Sequence, residues 1–269
     1  MRSCRLIRLP AEVRLRRALE EYLSFLSIER GSPKNTVDAY ARDLRDYLGF
    51  LEGRAISEPD GVSRPDIEAY LASLGESGRA SSSIRRAVSA IRGFHRFMLL
   101  ERLCDSHPAA NLVLPKRSER LPDVISRKEA FELLDAPFAQ GKEPRPQPRK
   151  NGTLDYMGVA CFHRDKAILE LLYGCGLRVS ELCGLDLCDA HLDEEALRVV
   201  GKGSKERLVP ILGTAKDALA NYLDAWRATL AARGTHASAV FLSVRGSRIT
   251  RQAVHALVER YGRHVGIEG

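Results

Sequence analysis

The stretch "YGCGLRVSELCGL", from Tyr173 to Leu185, says more about the fold than any other part of the sequence. Its glycines end one helix, and "RVSELCGL" predicts a short second helix that starts near Arg178. Both neighbours of Arg178 are apolar, so its guanidinium must extend into water, pair with an acid or be held for a ligand. A pair with Glu181, one turn along, is the plain structural interpretation.

After this helix, the spacing of apolar residues changes from a helical period to that of a β-strand. The segment "ALRVVGKGSKERLVPI" has two short β-branched runs around a glycine-rich turn, which predicts a β-hairpin. Lys202 lies in the turn, where it could simply decorate an exposed loop. The order of helix, loop and strand could also bring Lys202 and Arg178 to one cleft. A helix start there would favour an anion through its free N–H groups.

The same half of the chain holds further helices. Ser126 with Glu129 is typical of a capping box, and this helix should end before Pro137. The stretch "HRDKAILELLYG" predicts the helix that precedes Arg178. Helical patterns over about 214–232 and 250–265 follow, and "AVFLS" between them predicts a strand.

Four helical segments come first in the chain. The first covers about 11–29. For the second, the sequence predicts Ser32 as the cap and Pro33 at the first helical position. Ser63 and Asp66 predict a capping box at the start of the third. The fourth is "SSSIRRAVSAIRGFHRFMLLERL". Its apolar face contains Ile84, Val88, Ile91, Phe94 and Met98.

Four arginines follow the other side of the fourth helix, namely Arg85, Arg86, Arg92 and Arg96. A charge run on a helix is usually a solvated face. No acid stands between Ile84 and Leu100, so pairing along the helix cannot explain this run. The pattern therefore favours a face that follows DNA phosphates.

Two segments have few helical cues. Residues 105–122 contain three prolines and predict an extended linker between a helical module, 1–104, and a mixed, mostly helical domain, 123–269. The proline-rich segment from 139 to 159 predicts a flexible surface loop. The fold class is therefore mainly α, with a small β-sheet or hairpin in the second domain.

Composition narrows the class of protein. The 269 residues, 44% of them hydrophobic, are ample for a buried core and suggest about two domains. No apolar run approaches the ~18 residues of a membrane helix. The start "MRSCRLIRLP" lacks the apolar region and cleavage site of a secretory signal. We expect a cytoplasmic protein without membrane insertion.

Charge and cysteine content add two expectations. A net charge of +7 favours nucleic-acid binding through counterion release, although a basic surface without a specific partner would also fit. The six cysteines form no C-x-x-C pair, and Cys183, Cys188 and His191 match no common zinc spacing. Ordinary thiols and no metal are expected.

Together, "LLYGCGLRVSELCGLDLCDAHL" and "VVGKGSKERLVPI" resemble the tyrosine recombinases of the phage integrase family, specifically the Xer type that resolves chromosome dimers. The resemblance extends to the helical first module, the "RLP" of the linker and the "FLS" segment, so it covers most of the chain. The motif "GKGSKER" favours the XerC subgroup over the XerD subgroup.

The resemblance implies a DNA strand transferase that needs no metal and no nucleotide cofactor. The first module would be a core-binding domain and the second the catalytic domain, with double-stranded DNA between them. A second recombinase subunit would complete a heterotetramer on DNA. Arg178 matches the family's first catalytic arginine, and Lys202 matches its hairpin lysine. A guanidinium can hold two non-bridging phosphate oxygens, and an ammonium can protonate the leaving 5′-oxygen.

The sequence departs from the family at its end. The family has a His-x-x-Arg box, a later His or Trp and a tyrosine nucleophile, whereas none of the seven histidines here has Arg three residues on. Only Tyr222 and Tyr261 follow Lys202, and both precede the place of that box. The sequence therefore predicts a C-terminally truncated catalytic domain that cannot cleave DNA. Tyr261 is expected in the core or a groove rather than as nucleophile.

Three functions stay open on these residues. The chain could be an Xer-type recombinase that is incomplete as given. It could be a DNA-binding protein with a recombinase fold and no chemistry. It could also be an integrase of a mobile element with another target.

Overall fold

The structure, a computed structural model, describes residues 11–113, 124–137, 144–148, 154–201, 203, 205–235 and 238–267. The chain divides into two compact units, Met1–Leu121 and Pro122–Gly269. The first unit is helical, and the second combines helices with two small antiparallel sheets. The prediction of a mainly α fold with a small sheet in its second part is confirmed.

The first unit is built from four α-helices in its described part. They are α1 (Ala11–Ser24), which a π-helical turn (Phe25–Glu29) continues, α2 (Lys34–Gly53), α3 (Arg64–Glu76) and α4 (Ser81–Leu100). A short 3-10 turn (Pro59–Gly61) lies between α2 and α3. The prediction of four helical segments is therefore confirmed.

Local signals at the helix starts were correct in one case and wrong in another. The hydroxyl of Ser63 accepts from the backbone N–H of Asp66, and the Asp66 carboxylate accepts from the N–H of Ser63, as a capping box requires. Ser32 does not cap α2. Pro33 is the cap residue instead, with an extended ψ of 139°, and its carbonyl accepts from the N–H of Val37 at 3.2 Å.

One apolar core holds the first unit together. On α4 the predicted stripe is buried from Val88 to Met98, while Ile84 is only partly buried. The large side chains that meet it are Tyr22 and Leu26 from the first helical segment and Leu44, Tyr47 and Leu51 from α2. Burial of these groups is the main source of stability for a helical module of this size.

The segment after α4 also belongs to this core. Cys104, Ala109 and Leu112 are buried in it, and the guanidinium of Arg92 donates to the carbonyl of Leu112. The prediction of an extended linker is therefore wrong for residues 105–112, because local proline content does not reveal this burial. Residues 114–122 of the predicted linker lie outside the described part of the chain.

Gly93 provides a test of this packing. A methyl group at Gly93 would overlap the hydroxyl of Tyr22, whose rigid ring is buried against Phe94 and Phe97. We expect Gly93→Ala to destabilise the first unit by about 1–3 kcal/mol, as overpacked cores do. Thermal unfolding followed by far-ultraviolet circular dichroism would measure this.

The matched control is Gly49→Ala on α2, where nothing lies within 4 Å of the added methyl group. Alanine costs less backbone entropy than glycine in a helix, so this variant should be neutral or more stable. Equal unfolding temperatures for the two variants would contradict the packing of Tyr22 against α4.

The second unit is arranged around α6 (Met157–Gly174), a largely buried helix that packs against the unit's other helices. These are α5 (Arg127–Asp135), α7 (Val179–Gly184), α8 (Gly213–Asn221), α9 (Arg227–Ala231) and α10 (Arg251–His264), with a π-helical turn (Tyr222–Trp226) between α8 and α9. The capping box of Ser126 and Glu129 at the start of α5 is present as predicted. The helix before Arg178 begins at Met157, earlier than its sequence pattern indicated.

The described part of the proline-rich segment contains two short strands that form a small β-sheet. Strands β1 (Gln147–Pro148) and β2 (Leu154–Asp155) pair antiparallel. The prediction of a flexible surface loop is therefore wrong for these four residues, and also for Met157, Gly158 and Val159, which begin α6. Residues 138–143 and 149–153 lie outside the described part.

The predicted hairpin is present and gains a third strand. Strand β3 (Ala190–His191) pairs with β4 (Ala196–Val200), which pairs with β5 (Glu206–Pro210) in an antiparallel sheet. Since side chains alternate between the faces of a strand, Leu197, Val199 and Val209 share the buried face. Val199 pairs with Arg207, which puts Arg207 on that face too.

The prediction of a strand over "AVFLS" is wrong. Ala239 and Leu242 make isolated bridges to two different partners, Asp186 and Arg248. Ala239 to Leu242 are buried, but the backbone bends at Val240 and Phe241 instead of continuing as one strand. Among the described helices, none combines the length and apolar character needed to cross a bilayer.

Candidate functional site

The connection between α6 and α7 places Arg178 at the start of a helix. Helix α6 ends at Gly174, and Gly176 adopts a φ of +59°, which glycine tolerates best. Arg178 is extended, with φ −69° and ψ 146°, and caps α7. The chain thus turns sharply between the two helices and presents the Arg178 side chain at its surface.

Arg178 pairs with an acid and stays exposed. Its Nη1 donates to Oε1 of Glu181 at 2.9 Å, and its backbone N–H donates to Oε2 of Glu181 at 2.9 Å. The side chain is nevertheless 73% exposed, so most of its donors face solvent. The Glu181 carboxylate already accepts the hydrogen bond from the backbone N–H of Arg178 at this helix start, and α7 has only six residues. The guanidinium, rather than the helix terminus, is therefore the group that could hold an anion.

Glu181 is a buried carboxylate shared by two arginines. Its side chain is 3% exposed, and Arg207 donates to it in a fork, Nη1 to Oε1 at 2.7 Å and Nη2 to Oε2 at 3.0 Å. These bonds from Arg207, joined by those from Arg178, lower the pKa of Glu181 to about 2 against the opposing effect of burial. We refer to Arg178, Glu181 and Arg207 as the Arg–Glu–Arg cluster, whose net charge is +1.

The hairpin reaches this cluster at its turn. Lys202 itself lies outside the described residues. A methyl group on the preceding Gly201 would lie 3.7 Å from Oε1 of Glu181 and 3.4 Å from Nη1 of Arg207. The end of β4 is therefore next to the carboxylate that holds Arg178.

Arg207 is the member of the cluster that the sequence interpretation missed. The sequence did contain a signal for it. Side chains alternate between the two faces of a strand, so Arg207 lies on the same face of β5 as the apolar Val209. A cation on a buried face needs an acidic partner. The partner stands 26 positions away on another element, and periodicity does not reveal such a pair.

The four arginines of α4 have different surroundings. Arg86 makes a two-pronged ion pair with Asp43 of α2, at 2.8 and 3.0 Å, and Arg92 donates to the carbonyl of Leu112. Arg96 is exposed, whereas Arg85 is partly buried. The absence of acids along the helix thus did not exclude an acid from a neighbouring helix. The Arg86 and Arg92 side chains are therefore oriented by groups of the protein itself.

Known proteins share both units of this chain. The Phage integrase family matches residues 156–269, and the Phage integrase, N-terminal SAM-like domain matches residues 19–102. The Tyrosine recombinase XerD of Halalkalibacterium halodurans is 38% identical over 251 residues, which cover 93% of this chain and 78% of that protein. The chain belongs to the Xer-type tyrosine recombinases. The XerD of Chlorobaculum tepidum is 39% identical over 94% of the chain and 78% of its own length.

Solved structures of other recombinases and integrases have the same fold as this recombinase. The XerH site-specific recombinase bound to a palindromic difH substrate matches with a TM-score of 0.70 and 15% identity, over 98% of this chain and 82% of that one. A lambda integrase tetramer bound to a Holliday junction matches with a TM-score of 0.66 and 16% identity, over 95% and 64%. The relatives named above carry the XerD label, and the preference for the XerC subgroup stays a prediction.

A second charged cluster lies around α6 of the recombinase. Arg164, with a side chain 10% exposed, donates to Asp165 at 2.7 Å and to the carbonyl of Leu242 at 2.9 Å. Asp165 is almost fully buried and also accepts from Arg260 at 2.8 Å and from the Tyr261 hydroxyl at 3.2 Å. Burial and the Asp165 charge raise the pKa of Tyr261 to about 12. This phenol therefore packs on the core as a neutral donor, in agreement with the role expected for it.

The five cysteines in the described residues are free thiols. Burial raises the pKa of Cys161, Cys175 and Cys183. In the part of the chain that the structure describes, no three His, Cys, Asp or Glu side chains come together as metal ligands.

Proposed function

We propose that this recombinase acts in site-specific DNA recombination, in which DNA is cut and rejoined through a phosphotyrosyl intermediate. The observation that supports this most is the Arg–Glu–Arg cluster, which stands at the family's "GLRVSEL" motif and leaves Arg178 exposed. The Xer relationship favours resolution of chromosome dimers at cell division, in the cytoplasm. Integration of a mobile element is the alternative.

The chemistry follows from the charges. A tyrosine hydroxyl loses its proton to a base, and its oxygen attacks the scissile phosphorus. The P–O5′ bond breaks, and the phosphate remains bonded to the tyrosine. Charge then concentrates on the non-bridging oxygens, where the guanidinium of Arg178 stabilises it. The proton for the leaving 5′-oxygen comes from Lys202 of the hairpin turn. None of the tyrosines in residues 1–269 is assigned as this nucleophile.

The proposal assigns a different role to each of the two units. Residues 1–104 form the core-binding domain and residues 123–269 the catalytic domain, and the stretch after the packed Leu112 serves as the linker. Double-stranded DNA is the partner, with a second recombinase subunit completing a heterotetramer. The tetrameric lambda integrase of the same fold supports a multi-subunit assembly.

The basic face of α4 supplies the DNA contacts of the first unit in this proposal, through Arg85, Arg86, Arg92 and Arg96. We expect the double variant Arg85→Ala, Arg96→Ala to weaken binding to all duplexes alike. The plot of log affinity against log salt should become shallower by up to ~2 units, because two phosphate contacts are lost. Fluorescence anisotropy across a salt series would measure this.

The control is the double variant Arg17→Ala, Arg64→Ala. Both residues lie in the first unit, and each pairs with an exposed glutamate four positions on, so the same charge is removed from another face. Its salt slope should stay close to that of the parent chain. If the two double variants have equal slopes, α4 is only a solvated face.

A further inference from the structure

Arg207 stands where a hairpin normally places an apolar residue. It shares the buried face of the sheet with Leu197, Val199 and Val209, and its side chain is 41% exposed. It reaches from β5 to Glu181 on α7 and holds both carboxylate oxygens. This contact joins the hairpin to the helix that begins at Arg178.

The charges of the cluster give this contact a further effect. Glu181 carries one negative charge, and Arg178 and Arg207 carry one positive charge each. Without Arg207, the nearly buried carboxylate would have Arg178 as its counter-ion within the cluster, because attraction between opposite charges is strong where water is excluded. Arg178 would then bond both oxygens of Glu181. The pair would have no net charge and would not attract a phosphate.

With Arg207 present, Glu181 is already satisfied. Arg178 gives it a single guanidinium bond, from Nη1, and keeps its other donors in solvent. The cluster retains one positive charge at its exposed end. We propose that Arg207 is a positioning residue that neutralises Glu181 and so keeps Arg178 available to bind a phosphate group of DNA. This inference rests on the proposed function, since it assumes that Arg178 meets phosphate.

Two other roles for Arg207 make different predictions. A direct phosphate contact would depend on its own charge and not on Glu181. A purely structural tie between β5 and α7 would alter stability and leave DNA affinity unchanged in a folded variant. A mutant cycle with Glu181→Gln separates these roles, because glutamine leaves no buried charge for Arg207 to neutralise.

The experiment measures the affinity of the 269-residue chain for a mixed-sequence DNA duplex at fixed salt, alongside thermal unfolding. We expect Arg178→Ala and Arg207→Met each to weaken binding about tenfold, the usual effect of losing charge-assisted hydrogen bonds. Arg207→Lys should restore part of the affinity, since lysine keeps the charge but not the fork. In the Glu181→Gln background, Arg207→Met should change affinity by less than about twofold.

Arg198→Met is the matched control. Arg198 lies on the opposite face of the same hairpin, is 40% exposed and pairs with Asp189 at 2.7 Å, so its loss removes the same charge from the same element. Its effect on affinity should be small. An Arg207→Met loss equal to that of Arg198→Met, or one that persists in the Glu181→Gln background, would overturn the inference. If Arg207→Met does not fold, Arg207→Lys supplies the same comparison.

A measurement without DNA separates this inference from the proposed function. Nitrogen-15 relaxation of the arginine side chains reports rotation of the Arg178 guanidinium, which should slow in Arg207→Met as both Glu181 oxygens bind it. Unchanged rotation would reject the positioning role even if Arg178→Ala weakens DNA binding. Slower rotation with normal DNA affinity in Arg178→Ala would reject the phosphate role of Arg178 instead.

Discussion

Joined to the C-terminal segment of a related Xer recombinase, this chain should form a covalent adduct with a nicked suicide duplex, and Arg178→Ala should slow adduct formation about a thousandfold. A donor aimed at charge that develops in the transition state is worth roughly 10²–10³ in rate, and Arg178 can offer two such donors. Lys202→Ala should also slow the reaction, because the leaving oxygen then lacks its proton donor. Denaturing gel electrophoresis over a time course gives the rates.

Residues 1–269 alone should bind the same duplex without forming an adduct. Arg198→Ala in the joined protein is the control for lost charge, since Arg198 lies on the other face of the hairpin. Adduct from residues 1–269 would show that one of their own tyrosines can act as the nucleophile. A rate for Arg178→Ala within threefold of the parent would refute the catalytic role of Arg178.

Asp165→Ala is expected to destabilise the second unit by about 3–5 kcal/mol. The substitution would leave the guanidinium of Arg164 buried without its carboxylate, and uncompensated buried charges cost this much. Arg260 and Tyr261 would lose the same acceptor. The single tryptophan of the chain, Trp226, lies in this unit, so its emission during urea unfolding measures the effect selectively.

Arg260→Ala is the comparison for that variant. Its side chain is 62% exposed, and its removal leaves the pair of Arg164 and Asp165 intact. A loss below about 1 kcal/mol is expected for an exposed partner. If Asp165→Ala unfolds at the same urea concentration as Arg260→Ala, the buried pair does not stabilise the unit as its geometry indicates.

Features with local causes could be predicted from the sequence. Ser63 with Asp66, and Ser126 with Glu129, act within one helical turn, and the hairpin depends on a turn and its two flanks. Arg178 at the start of α7 follows from the glycines beside it. These elements were correct because each is determined by neighbours a few residues away.

Features that depend on distant residues could not be predicted. Asp43 reaches Arg86 across 43 positions, and Glu181 reaches Arg207 across 26. The buried segment after α4 and the isolated bridges at Ala239 and Leu242 likewise depend on what packs against them. Propensity describes a residue and its neighbours, whereas tertiary contacts decide these cases.

The shared carboxylate has a consequence for how the sequence can change over time. Replacing Arg207 alone leaves Glu181 to neutralise Arg178, and replacing Glu181 alone leaves two guanidiniums close together without the carboxylate that both of them bind. A joint replacement by neutral residues avoids both penalties. Positions 181 and 207 are therefore expected to evolve as a pair. An alignment of relatives should show both residues kept or both substituted.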